Sequence, residues 1–154
     1  MTDDAPSHVT DPAAQARHPE SARMTGTELQ IARLHVGMSR AELARTLAVR
    51  EDTVRRWEIG KDPVPFRVRD DLRAIENATD SAVNSLIDSL KEMRSPYVIL
   101  SGEQGLVGGG SPDLTDYGPG WWRAVVARAA RAVPGTRVGT REELAAFGAI
   151  RDPE

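Results

Sequence analysis

At 154 residues, with 40% hydrophobic and 28% charged side chains and a net charge of −3, the chain has the composition of a soluble globular protein with room for one full domain, or a small one plus an appendage. It contains no cysteine, and its histidines, His8, His18 and His35, are too scattered for a ligand set, so neither a disulfide framework nor a metal or cofactor site is expected. No apolar run approaches the ~20 residues of a membrane span and the N-terminus lacks the apolar core of a signal peptide, which points to a cytoplasmic protein with no membrane partner.

Residues 1–23 are rich in Ala, Pro, Asp, Ser and His, hold Val9 as their one larger aliphatic beyond the initiator Met, and show no periodicity; a disordered tail is expected. From Thr25 to Val36 the pattern is helical. Thr25 or Thr27 caps it, Leu29, Ala32 and Val36 form the inner stripe, and Gly37 ends it.

The next stretch, Met38 to Gly60, reads as two short helices joined by a tight turn. Ser39 is a good N-cap with Glu42 placed to complete a capping box, and Leu43, Ala44 and Leu47 give one apolar face, leaving Arg40, Glu42, Arg45 and Thr46 outward. After Ala48 and Val49 a second helix begins at Arg50 or Glu51. Val54 and Trp57 face inward, and Glu51, Asp52, Arg55 and Arg56 face away. Two helices of this length cannot bury much alone and need a third to lean on, which is the logic of a helix-turn-helix unit that offers its second helix to the DNA major groove.

Lys61-Asp62-Pro63-Val64-Pro65 cannot continue a helix. A fourth helix is expected over about Phe66–Glu76, with Phe66 or Val68, Leu72 and Ile75 inside. Asn77-Ala78-Thr79 then separates it from a fifth, Asp80–Met93, whose stripe of Val83, Leu86, Ile87, Leu90 and Met93 exceeds what so small a domain needs and should pack on the C-terminal region or a second subunit. Tyr97 to Leu100 reads as a strand. The glycine-rich loop 102–120 lacks the Lys-Ser or Lys-Thr of a phosphate-binding loop. Trp121 to Val133 is a helix, Pro134-Gly135 stops it, Thr136 to Val138 is a short strand able to pair with Tyr97 to Leu100, and Thr140 caps a last helical turn, Arg141 to Phe147.

Leu29, Ala32 and Arg33, then Gly37-Met38-Ser39, Glu42-Leu43-Ala44, Val49, Thr53-Val54 and Trp57-Glu58-Ile59-Gly60-Lys61 together resemble the XRE, lambda-repressor-like DNA-binding domains over about residues 24 to 75. The Pro63-Val64-Pro65 tail and the Gly120-Trp121-Trp122-Arg123 helix resemble a narrower group, the small anti-CRISPR-associated and YdiL-like regulators. The resemblance implies a mostly α fold: a five-helix DNA-binding domain over 24–94 and a small α+β extension over 95–150 with two short strands and one main helix. It further implies an Arg33–Glu58 pair clamping the first helix to the end of the recognition helix, base-reading positions at Glu51, Asp52, Arg55 and Arg56, and a phosphate contact at Arg40. Two of the four base-reading positions are acids, which departs from the usual Ser, Gln or Arg. Ala48 stands where glycine is common.

Arg50, Thr53 and Lys61 complete the candidate DNA-binding set, and Tyr97, Ile99, Trp121, Trp122 and Val126 are the candidate dimerisation residues. The overall acidity argues against a nucleic-acid partner, but between Thr27 and Lys61 basic residues outnumber acidic ones. The function that follows is a sequence-specific regulator of transcription, a homodimeric (auto)repressor reading an inverted repeat in double-stranded DNA through the Glu51–Trp57 helix. The alternatives are an antitoxin or protein-partner module with secondary DNA binding, or an RNA-binding protein. No nucleophile–base pair or cofactor loop supports an enzyme.

Overall fold

The computed structural model describes residues 23–101, 104–106 and 117–151, so the N-terminal tail and most of the glycine-rich loop lie outside the described residues. The chain is mostly helical. In order come α1 (Gly26–His35), α2 (Arg40–Leu47), α3 (Glu51–Glu58), α4 (Phe66–Glu92), β1 (Tyr97–Ser101), β2 (Gln104–Leu106), α5 (Pro119–Ala132), β3 (Arg137–Gly139) and α6 (Arg141–Ala146).

Local chemistry accounts for the boundaries. Thr25 and Glu28 form a reciprocal capping box at the start of α1, and Gly37 follows its end at φ +77°. Ser39 accepts from the Glu42 amide at the start of α2. The α2–α3 turn passes through Ala48 in the left-handed region, φ 55° and ψ 43°, a conformation that costs a side-chain-bearing residue about 1–2 kcal/mol. At the far end, Thr140 and Glu143 make a second capping box for α6.

Two expectations are corrected here. Glu42 does not return to Ser39; its side chain is buried and turns instead toward the start of α5. The break expected at Asn77-Ala78-Thr79 does not occur, because α4 runs unbroken for 27 residues. That triplet holds neither glycine nor proline, and the Thr79 hydroxyl is satisfied without leaving the helix: it donates to the Ile75 carbonyl at 2.6 Å and accepts the Trp121 indole N–H at 2.8 Å.

A three-stranded sheet of order β2-β1-β3 caps the C-terminal end, with β1 antiparallel to β2 and parallel to β3. The β1–β3 pairing is the one expected; β2 is an addition. The core is one contiguous cluster. It runs from Leu29, Leu43 and Val54 in the first three helices through Val68, Leu72 and Leu90 of α4 to Val98, Trp121, Val125 and Val126, so the surplus apolar stripe of α4 is used up against α5. No helix among the described residues is long and apolar enough to cross a membrane.

Candidate nucleic-acid interface

The helix-turn-helix geometry rests on α3, whose inner face buries Val54, Trp57 and Glu58. Glu58 is the pivot. Its carboxylate accepts from Arg33 Nε at 2.6 Å and Nη2 at 3.3 Å, and from Arg40 Nε at 2.6 Å, while Arg33 Nη1 donates to the Met38 carbonyl at 2.8 Å. The Arg33–Glu58 clamp is therefore present. Arg40, expected as a phosphate contact, is the second arm of the same network, with its side chain about one-third exposed (36%). Burial pushes the Glu58 carboxyl up, but the hydrogen bonds and charges of Arg33 and Arg40 outweigh it and hold the group below the ordinary glutamate range.

The outer edge of α3 lies open. Glu51 and Asp52 are exposed, Thr53, Arg55 and Arg56 are half-buried, and Arg50 and Lys61 flank them at the surface. Each of the two arginines is tied to a carboxylate. Arg55 donates from Nε to Asp52 Oδ1 at 2.9 Å, with Nη2 at 2.8 Å from the same oxygen. Arg56 donates from Nε to Asp62 Oδ2 at 2.6 Å and from Nη2 to Asp62 Oδ1 at 3.2 Å. That second fork, with the attendant charge attraction, raises the Arg56 guanidinium further and lowers the Asp62 carboxyl. Asp62 was absent from the candidate set. The signal for it was present in the sequence as an acid six residues after Arg56, beside a proline that fixes its backbone.

The five candidate dimerisation residues fall differently. Trp121, Trp122, Val126 and Ile99 are buried within this chain and Tyr97 is half-buried. Trp121 is anchored by Thr79 and meets Tyr117 edge-on at 5.1 Å, whereas the Trp122 indole N–H is buried with no acceptor among the described residues. Their burial serves the junction between α5 and α4. The large apolar side chains left exposed include Ile31 and Leu34 on α1, Val138 on β3 and Phe147 after α6.

The junction is also polar. Glu42 Oε1 and Oε2 accept the Gly120 and Trp121 amides at 2.9 and 3.2 Å, supplying the start of α5 with the acceptor its own N-cap, Gly118, lacks. Contact there is close: a Cβ on Gly120 would lie 2.8 Å from Glu42 Oε1, and one on Gly37 would lie 2.2 Å from Ala124 Cβ. Nearby, Thr79, Asp80 and Arg128 with His35 and Glu76 line an open polar cleft of about 190 Å³. No group of His, Asp and Glu side chains among the described residues could hold a metal ion.

Residues 24–97 match the family model describing Aca2/YdiL-like proteins, a family of small helix-turn-helix-type, anti-CRISPR-associated regulators and not of enzymes. No curated protein and no solved structure matches the chain.

Proposed function

With residues 24–97 of Aca2/YdiL-like kind, we propose that the protein is a sequence-specific DNA-binding regulator that represses transcription, its own included, as a homodimer on an inverted repeat. The observation that carries this reading is α3 itself, a helix with Val54, Trp57 and Glu58 locked inward and, along the opposite edge, Glu51 and Asp52 exposed and Arg55 and Arg56 half-buried. Such an edge fits a major groove, where an arginine fork matches guanine O6 and N7. Arg50 and Lys61, exposed at the two ends of α3, lie where phosphates flank a groove.

One short helix makes too few base contacts for useful specificity, so two copies reading half-sites about one turn apart are expected. We assign the subunit contact to the C-terminal layer. There β3 is an edge of the sheet and leaves Val138 exposed, while Ile99, Trp121, Trp122 and Val126 shape the layer from within.

The test is selection of binding sites from random duplexes with the purified protein, with light scattering on the same sample. A two-fold symmetric duplex bound by two chains is the expected result. Enrichment of structured RNA in a parallel selection, with no duplex enriched, would replace the DNA reading.

A further inference from the structure

We propose that Asp62 is a positioning residue for base readout: it clamps the side-on edge of the Arg56 guanidinium and so presents the opposite, end-on edge to a guanine in the groove. This rests on the DNA-binding reading above and assigns a role within that site to a residue outside the candidate set.

A guanidinium can offer a two-donor fork in two ways, from Nε with Nη2 or from Nη1 with Nη2. In Arg56 the first is occupied, since Nε and Nη2 reach the two Asp62 oxygens at 2.6 and 3.2 Å. Both Nη1 hydrogens and the second Nη2 hydrogen remain, and one from each nitrogen forms the end-on fork that fits guanine O6 and N7. An arginine held in this way has little rotamer freedom left to lose on binding, and rigidity prepaid before binding favours the one base that matches it.

The clamp is built from the backbone. The Lys61 and Asp62 amides both donate to the Arg56 carbonyl, at 2.9 and 3.3 Å, which curls the chain over the last turn of α3 and brings the Asp62 carboxylate to its arginine. Pro63 follows and restricts Asp62 to extended geometry. Asp52 repeats the arrangement from one turn earlier on α3, with Arg55 Nε and Nη2 both on its Oδ1 at 2.9 and 2.8 Å. Asp52, one of the two acids that break the expected recognition pattern, thus sits where it aims an arginine. Asp52 and Asp62 also offset the charges of Arg55 and Arg56, so these two sites discriminate between bases and add little to the general attraction for phosphate.

The experiment uses the full chain and the duplex that it selects from a random pool. Affinities of wild type, Asp62→Asn, Arg56→Ala and the double variant are measured for that duplex, for a copy with each guanine replaced in turn, and for random duplex, alongside their melting temperatures. Asp62→Asn is expected to weaken the selected duplex about tenfold and leave random duplex unchanged or tighter. Discrimination should be lost at one guanine, and the variant should have no further effect in the Arg56→Ala background. Equal tightening of selected and random duplex would make Asp62 a simple electrostatic brake and overturn the assignment. Equal weakening of both with a lower melting temperature would make it a pin for the loop and overturn it as well. A pool that yields no selected duplex removes the DNA reading and the role of Asp62 with it, whereas a selected duplex whose discrimination is indifferent to Asp62→Asn removes only the latter.

Discussion

Ala48 shows at the level of one residue how far this turn departs from the least strained solution. At φ 55° its Cβ crowds the backbone. Replacing it by glycine removes the strain while adding freedom to the unfolded chain, so Ala48→Gly should stabilise the protein by about 1 kcal/mol, read as a rise in denaturant midpoint without a change of slope. Glu58 carries a different signature. Its carboxyl is more acidic in the folded chain than in the unfolded one, since burial is outweighed by Arg33 and Arg40. The stability it contributes is therefore fully present above the ordinary unfolded glutamate value of ~4.3 and is lost as pH falls through the lowered folded value. Titrating the denaturation midpoint downward from neutral pH should show that loss in wild type. Glu58→Gln should be less stable at neutral pH, where Arg33 is left buried without its counter-charge, and should fall less steeply on acidification. The Arg33–Glu58 pair was legible only through the resemblance to the XRE-like domains, since helical spacing alone leaves Arg33 one step off the inner stripe of α1 and names no partner for it. The capture of Arg40 was not, since a long side chain on an outward position can swing through a wide arc and spacing does not say where it lands.

At the scale of elements, the join between α2 and α5 separates what the sequence told from what it withheld. The helices other than α4, the capping residues Thr25, Ser39 and Thr140 and the pairing of β1 with β3 were readable in the sequence, though not the parallel sense of that pairing. Glu42 was read as a local cap because three-residue spacing after a serine is a local signal; its true partners, the amides of Gly120 and Trp121, lie 78 and 79 residues away. The unbroken α4 was missed for a similar reason. Asn77-Ala78-Thr79 looks like a loop until Trp121 arrives across the core to occupy the Thr79 hydroxyl. If Glu42 caps α5 as a side-chain N-cap would, Glu42→Ala should cost about 1–2 kcal/mol. In hydrogen exchange the Gly120 and Trp121 amides should lose protection well beyond the average for the chain. Uniform loss across all helices would mean that the carboxylate only fills space.

For the molecule as a whole, the puzzle is a net charge of −3 on a chain proposed to bind a polyanion. The distribution of ion pairs resolves it, because Arg33 and Arg40 are spent on Glu58 and Arg55 and Arg56 on Asp52 and Asp62. Of the candidate basic residues, Arg50 and Lys61 keep exposed side chains and take part in none of these ion pairs. Phosphate neutralisation should therefore fall mainly on them, and each neutralised phosphate contributes close to one unit to the slope of log affinity against log salt. Arg50→Ala and Lys61→Ala should each lower that slope by about 1 and weaken selected and random duplexes alike, whereas Arg55→Ala and Arg56→Ala should weaken the selected duplex by ~1–3 kcal/mol with the slope little changed. Titrations of the four variants over a range of salt concentrations would sort the residues into these two groups. A slope that responds to Arg55 and Arg56 as strongly as to Arg50 and Lys61 would mean that the aspartates release their arginines on binding, and that the ion pairs along α3 belong only to the free protein.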